Sequence, residues 1–150
     1  MLILGIDPSL RNTGLAILDT DTHKVIYTRT IHTDSTEIMQ SRLHHIFGFI
    51  KQVICTHSIQ HAAIETQFLR KYSSALKVAM VYGACLVACD VHGVKLGHYS
   101  PACVKKNITG NGLAGKKLVI DAVKTLYDLN EIDSHVADAV AIAHIHNQFI

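Results

Sequence analysis

The first 32 residues, MLILGIDPSLRNTGLAILDTDTHKVIYTRTIH, contain the pattern that decides the fold. An apolar run over residues 1–7 ends in Asp7, and a second apolar segment follows at 14–18, after the turn-rich PSLRNT. Residues 24–32 supply a third segment of the same kind. Short apolar runs bounded by turn residues are typical of β-strands, and short turns join strands most simply in antiparallel order. The stretch therefore predicts a three-stranded antiparallel meander.

The rest of the chain alternates helical and strand patterns. A meander followed by such an alternation predicts an α/β domain with a mixed sheet. Asp133 or Ser134 is the predicted N-cap of the last helix. The predicted helices are 36–57, 73–91, a short segment opening at Pro101, 113–126 and 134–147, and the further strands are 61–65 and 94–98.

Composition excludes several classes of protein. Of the 150 residues, 49% are hydrophobic and 17% are charged, which excludes wholesale disorder. The apolar stretches are too short or too interrupted to span a bilayer, and the N-terminus lacks a secretory signal layout. The cysteines show no CxxC pairing, so we expect a reducing, cytoplasmic setting. A net charge of +2 excludes a strongly basic coat, although a local basic patch stays possible.

Two carboxylates stand at the C-terminal ends of predicted strands, Asp7 in LGIDPS and Glu65 in AIETQF. Open α/β sheets bind ligands beyond that end of their parallel strands. If the two strands are parallel neighbours, Asp7 and Glu65 come close together. Because like charges held close are costly, a cation is needed to neutralise them.

The stretch HVADAVAIAHIH, residues 135–146, places Asp138 in an otherwise apolar helix, three residues after His135. An unpaired carboxylate there costs on the order of several kcal/mol. Residues three apart share a helix face, so this pair would complete a four-ligand cage with the two strand-end acids. Three oxygen ligands and one imidazole suit Mg²⁺ or Mn²⁺ better than Zn²⁺. Taken singly, each residue is more often a turn, surface or core residue, and the pattern alone leaves both interpretations open.

Five motifs in order, LGIDPSLRNTG, IETQF, SALK, VKKNITGNG and HVADAVAIAHIH, resemble the RuvC Holliday junction resolvases of the RNase H-like superfamily. The resemblance covers essentially the whole chain and implies a single nuclease domain over residues 1–150. It implies a five-stranded mixed sheet flanked by helices, working as a homodimer. The implied activity, in DNA recombination and repair, is symmetric nicking of four-way DNA junctions to leave 5′-phosphate and 3′-hydroxyl ends.

The resemblance also implies four catalytic metal ligands, Asp7, Glu65, His135 and Asp138. Two Mg²⁺ ions per site are implied. Mn²⁺ is the alternative, because some members have Asp where this chain has His135 and an imidazole ligand favours Mn²⁺. Asp7 would bridge the ions and Glu65 would hold the one that activates water. His135 and Asp138 would hold the ion beside the leaving 3′-oxygen, and the swapped assignment of the ions is the alternative.

Four lysines and two aromatic residues are the expected DNA contacts. Lys105 and Lys116 align with family lysines that bind DNA phosphates, and Lys106 and Lys117 stand beside them. Without the resemblance, such pairs read as solvated helix surface. The family places a base-stacking aromatic at Phe68, and Tyr72 is close enough in sequence to share that role. Without the resemblance, Phe68 reads as a loop residue folded into the core.

The 73–91 helix is apolar on nearly every side, which is more surface than one sheet can cover. A second copy of the helix, related by a two-fold axis, is the predicted cover and makes a homodimer. Two other functions stay open, a broader nuclease for forks, flaps and three-way junctions, and a non-catalytic junction-binding relative. A branch-migration partner is also left open. GIDPS followed by TG also resembles sugar kinases and actin-like ATPases, but 150 residues leave no room for their duplicated domain.

Overall fold

The computed structural model describes residues 1–66 and 72–150, and for residues 72–74 it describes the backbone alone. In these ranges the chain forms a five-stranded sheet with helices on both faces. The strands are β1 (Leu2–Asp7), β2 (Asn12–Asp19), β3 (Lys24–His32), β4 (His61–Glu65) and β5 (Lys95–Tyr99). The helices are α1 (Met39–His57), α2 (Tyr72–Asp90), α3 (Pro101–Thr109), α4 (Lys116–Tyr127) and α5 (Ser134–His146).

The sheet has the strand order β3-β2-β1-β4-β5. β1 pairs antiparallel with β2 and β2 with β3, so the predicted meander is confirmed. β4 runs parallel to β1 and β5 runs parallel to β4, which confirms the predicted mixed sheet. Ile6 is the register partner of Ile64, so the residues that follow them, Asp7 and Glu65, come at the same edge.

The two faces of the sheet carry side chains of different size. Because side chains alternate along a strand, Leu4 and Ile6 of β1 face one way and Gly5 faces the other. The large residues pack with α1 and α2, in a core that also contains Leu15, Ile17, Ile46, Ile50, Ile64 and Val81. The opposite face, covered by α5, carries Ile3 and Leu18 at one end and small residues such as Ala16 and Ala63 towards the ends of β1 and β4.

Two glycines let the backbone of α5 approach the sheet closely. A Cβ atom added at Gly5 would lie 1.9 Å from the carbonyl oxygen of Ala139. A Cβ atom added at Gly14 would lie 2.1 Å from the carbonyl oxygen of His135. Since no side chain fits in those spaces, α5 lies directly on β1 and β2, with most of its own residues buried. This contact determines where the first turn of α5 meets the sheet edge.

Two helices begin three residues later than their sequence patterns predict. At residue 36 the backbone N–H of Thr36 donates to Asp34 Oδ1 at 2.8 Å, and α1 begins only at Met39. At Leu113 the backbone N–H donates to Asn111 Oδ1 at 2.9 Å, and α4 begins only at Lys116. Side chains of Asp and Asn compete with helix formation in this way because they offer the backbone a local partner.

Helix α2 is apolar nearly all round, as predicted. Val81 and Cys85 are buried against the core, whereas Leu76, Met80 and Val87 are exposed. None of the helices in the described ranges is long and apolar enough to cross a membrane.

Candidate functional site

The strand-end carboxylates lie on the face of the sheet that α5 covers. Asp7 is two residues after Gly5, and Glu65 is two residues after Ala63, so each shares the face of the small residue before it. Asp7 is buried and Glu65 is half-buried. Their strands are parallel neighbours, the condition under which the sequence predicts that Asp7 and Glu65 come close together, and the pairing brings both carboxylates to one edge.

The first turn of α5 is held at this edge by a cap. The Asp133 side chain accepts a hydrogen bond from the backbone N–H of Val136 at 2.8 Å, which confirms one of the two predicted N-caps. The hydroxyl of Thr30 on β3 donates to the same carboxylate at 2.6 Å. The cap therefore connects α5 to the sheet at the turn of the helix that carries His135 and Asp138.

His135 reaches the first strand-end acid directly, since its Nδ1 lies 3.0 Å from Asp7 Oδ2. This hydrogen bond is the main cause of a raised pKa for His135. Asp138 is half-buried and lies one turn further along α5. The structure thus brings residues 128 positions apart in the sequence into contact at the sheet edge.

Burial and mutual repulsion raise the pKa of two carboxyls in this cluster. Burial is the main cause of the raised pKa of Glu65, about 7, and the charges of Asp7 and Asp138 raise it further. Burial also raises the pKa of Asp138 to about 6, with the charge of Asp7 as the second cause. Carboxyls that resist ionisation because they are buried and lie close to one another favour a bound cation.

Two of the four predicted lysines act on this cluster. The charge of Lys105 on α3 lowers the pKa of both Glu65 and Asp138, and Lys116 on α4 lowers that of Asp138. Lys106 and Lys117 are exposed on the same two helices, and neither is among the charges that shift these two acids.

Helix α4 begins with Lys116 and Lys117, an arrangement that the helix itself does not favour. The helix macrodipole is positive at its N-terminus, so a cation there is destabilising by about 0.3–1 kcal/mol. Backbone N–H groups and lysines together make that helix end strongly electropositive. Such an end suits an anion such as a DNA phosphate.

The predicted aromatic contacts are not tested by the structure. Phe68 lies outside the described residues. Tyr72 is the first residue of α2, and its side chain lies outside the described part of the chain.

The three carboxyls and the imidazole at this edge fit a hard divalent cation, and two of them, Asp7 and His135, are hydrogen-bonded to each other in this structure. In residues 1–66 and 72–150, no three His, Cys, Asp or Glu side chains are arranged so that they could hold a metal ion together. The Asp7–His135 hydrogen bond uses Asp7 Oδ2 and His135 Nδ1, and each side chain keeps a second donor atom. Three carboxyls and an imidazole nonetheless share one half-buried edge, and oxygen-rich sets of this kind bind Mg²⁺ or Mn²⁺.

The sequence reasoning missed the residues that place α5. Gly5, Gly14 and Thr30 carry no reactive group, yet they determine how close His135 and Asp138 come to the strand-end acids. The signal was present as small residues at alternate positions in LGID, TGLA and HAAIE. A strand face that lacks large side chains is typical of close backbone approach.

The raised pKa of Glu65 predicts a pH-dependent stability effect. Its folded-state value of about 7 lies above its ordinary value of 4.5, so the stability gained by holding the proton is present below pH 4.5 and lost by pH 7. Glu65→Gln should therefore raise the free energy of unfolding at pH 8 without divalent cations, by at most about 3 kcal/mol, and change it little at pH 5. Urea denaturation at both pH values measures this, with the exposed Glu37→Gln as control. Equal effects at both pH values would contradict the expectation.

Comparison with known proteins identifies one family, by a family model and by individual relatives. A family model described as crossover junction endodeoxyribonuclease RuvC matches residues 3–146. The proteins of that name from Treponema pallidum and from Wolbachia of Brugia malayi are 36% and 38% identical to this chain. The matches cover 97% and 96% of this chain, and 78% and 92% of those proteins.

A solved structure has the same fold. The Thermus thermophilus RuvC in complex with a Holliday junction substrate superimposes with a TM-score of 0.89 at 31% sequence identity. The match covers 99% of this chain and 94% of that one. The RNase H-like fold and the resemblance read from the five motifs are both confirmed. The chain belongs to the RuvC family of crossover junction endodeoxyribonucleases.

Proposed function

We propose that this chain resolves four-way DNA junctions by nicking two strands symmetrically, leaving 5′-phosphate and 3′-hydroxyl ends. The observation that supports this most is the gathering of Asp7, Glu65, His135 and Asp138 at one sheet edge, with lysine charge beside them. Membership of the RuvC family and the fold shared with a junction-bound relative support the same substrate. The single nuclease domain over residues 1–150 would act in the cytoplasm, and a branch-migration partner is compatible with it.

The acid cluster would hold two divalent cations, Mg²⁺ or Mn²⁺. Asp7, the most central of the acids by its effect on the others, would bridge them. Glu65 would hold the ion beside the attacking water, and His135 with Asp138 would hold the ion beside the leaving 3′-oxygen. When bound, such ions lower the pKa of water and neutralise charge on the scissile phosphate. The Asp7–His135 hydrogen bond leaves Asp7 Oδ1 and His135 Nε2 for the ions.

The lysines would bind the DNA backbone. Lys105 and Lys116 would hold the phosphates next to the acid cluster, and Lys106 and Lys117 would contact the backbone further out. Phe68 and Tyr72 would stack on unpaired bases near the crossover. Phosphate contacts of this kind position the strand over the acids without reading its sequence.

Replacing Lys105 and Lys116 together by Ala should weaken junction binding about tenfold at moderate salt. The slope of log K against log salt should fall by roughly 2, because two phosphate contacts are lost. Fluorescence anisotropy with a labelled junction, at several salt concentrations, measures both quantities. Lys51→Ala with Lys95→Ala removes the same charge from exposed positions on α1 and β5 and serves as control. An unchanged slope in the first variant would place the DNA elsewhere.

The active unit would be a homodimer formed through the 73–91 helix. Leu76, Met80 and Val87 are 56%, 39% and 53% exposed, and at 100° per residue they fall within about 40° of one another around α2. Gly83 lies in the same stripe, and a Cβ atom there would meet nothing within 4 Å. Apolar residues spaced four, three and four apart, with a small residue among them, are typical of a helix-pair seam. A second α2 fits it and gives the two-fold symmetry that paired nicks require.

Leu76→Glu with Val87→Glu should convert the dimer to monomers, with the dissociation constant raised about 100-fold or more, because like charges would face each other across the axis. Analytical ultracentrifugation measures the change, and junction cutting should shift from paired nicks to single nicks. Leu126→Glu, at a residue that is 54% exposed on α4, is the matched control. A parent chain that sediments as a monomer at all concentrations would contradict the proposal.

A panel of branched DNAs tests the proposed function as a whole. Four-way junctions, three-way junctions, forks, flaps and linear duplex would each be labelled and incubated with Mg²⁺, with Mn²⁺ or with a chelator. We expect paired symmetric nicks in the four-way junction with either ion, and none with the chelator. Comparable rates on forks or flaps would instead indicate the broader branched-DNA nuclease. Junction binding without cutting in both ions would indicate the non-catalytic relative.

A further inference from the structure

The loop between α3 and α4 presents one apolar side chain almost completely to solvent. Leu113 is 92% exposed, more than any other large hydrophobic residue in the described part of the chain. Single exposed leucines are common and by themselves indicate nothing. Leu113 differs from such residues in its fixed conformation and in its position next to the candidate site.

Hydrogen bonds hold the loop in a defined conformation. The Thr109 hydroxyl donates to the carbonyl oxygen of Lys105 at 2.7 Å and accepts from the backbone N–H of Asn111 at 3.1 Å. Asn111 Oδ1 accepts from the backbone N–H of Leu113 at 2.9 Å, and the Asn111 carbonyl accepts from Ala114 at 3.1 Å. Ala114 is buried and anchors the end of the loop that leads into α4. Leu113 is therefore held outward by the loop.

The loop lies between the two lysines that act on the acid cluster. Lys105 precedes it on α3, and Lys116 follows Leu113 by three residues at the start of α4. Helices α3 and α4 both pack against α5, the helix that carries Asp138, so both ends of the loop are near the candidate site. A strand bound by these lysines at its phosphates would pass over Leu113.

The chemistry of such a contact is that of apolar side chains in DNA. Lysines bind phosphate oxygens and leave the bases unread, whereas leucine has no affinity for phosphate. Leucine side chains pack against base steps and partly unstack them, most easily where stacking is already interrupted. A junction interrupts stacking at its crossover.

We propose that Leu113 is a specificity-determining DNA contact, packing against the bases next to the crossover and favouring branched over linear DNA. This rests on the proposed function, because it takes the DNA path from the candidate site. It adds to that function an apolar contact on the α3–α4 loop, which follows Phe68 by about 45 residues in the sequence.

The test compares Leu113→Ser, Leu113→Met and the control Leu126→Ser, whose residue lies on α4 about 15 Å along the helix from Lys116. Each would be titrated without divalent cations against a four-way junction and a linear duplex, at several salt concentrations. The junction would carry 2-aminopurine beside the crossover. We expect Leu113→Ser to weaken junction binding about five- to tenfold, with the salt slope unchanged, since an apolar contact and no charge is lost. Its effect on duplex binding should be less than twofold. The change in 2-aminopurine fluorescence that the parent causes on binding should be smaller with Leu113→Ser.

Leu113→Met should retain the parent affinity within about twofold, because it keeps apolar volume at that position. If Leu113→Ser binds the junction as tightly as Leu126→Ser, the inference is overturned and the loop is free for another partner. A changed salt slope would also overturn it, because it would mean that Lys116 had moved. A parent chain that fails to bind junctions overturns the proposed function, and this inference falls with it.

Discussion

Asp7→Asn is expected to lower junction cutting by about 10³-fold or more while junction binding survives. Asn keeps the shape of the side chain and its ability to accept a hydrogen bond from His135, but it removes the charge that a divalent cation needs. The lysines proposed to bind phosphate are different residues, so affinity for DNA should not fall. Single-turnover cutting and anisotropy titration of the same labelled junction measure the two effects separately.

The same substitution should leave the chain at least as stable as its parent. Asp7 is 5% exposed, and its charge raises the pKa of both Glu65 and Asp138. Removing it relieves repulsion in the metal-free protein. Asp128→Asn is the matched control, because Asp128 is an exposed residue in a left-handed conformation that Asn adopts readily. If Asp7→Asn loses folding and binding together, Asp7 is a structural residue and the proposed metal site is wrong.

Gly14→Ala is expected to damage both stability and cutting, although Gly14 carries no functional group. Its Cβ atom would lie 2.1 Å from the carbonyl oxygen of His135, so strand and helix must separate. Overpacking of this kind in a buried contact costs about 3 kcal/mol, which lowers Tm by roughly 6–12 °C in a domain of this size. A displacement of His135 by about 1 Å should lower cutting about 100-fold even where the chain is folded.

Thermal unfolding and cutting at a low temperature measure the two effects of Gly14→Ala. Gly48→Ala is the matched control, because a Cβ atom there meets nothing within 4 Å and Gly48 lies inside α1. That variant should be as stable as the parent or about 1 kcal/mol more stable, since Ala favours helix. Parent-like stability and cutting in Gly14→Ala would show that α5 does not need its close contact with β2.

Much of the architecture follows from local patterns in the sequence. The order of strands and helices was predicted from apolar periodicity and turn residues, and the meander was predicted from short connections. The starts of α1 and α4 were predicted three residues too early. Asp34 and Asn111 offered the backbone hydrogen bonds that delayed both helices, and apolar periodicity is blind to such bonds.

The candidate site was predictable only in part. Asp7 and Glu65 stand at strand ends, and their strands pair in parallel, so their proximity follows from topology. His135 and Asp138 share a helix face, but a helix pattern does not say which edge that face meets. The contact between His135 and Asp7 depends on the cap made by Asp133 and on the small-residue face of the sheet.

Sequence by itself determined the elements, their order and the residue types available for chemistry, because periodicity and turn propensity act over a few residues. Tertiary structure alone decided how near those residues come to one another. It decided that α5 lies in backbone contact with β1 and β2, that the charges of Lys105 and Lys116 lower the pKa of acids at the sheet edge, and that Leu113 projects from its loop. The physical reason is that burial and charge act through distances set by packing between distant segments, and a pKa near 7 for Glu65 exists only after those segments have met.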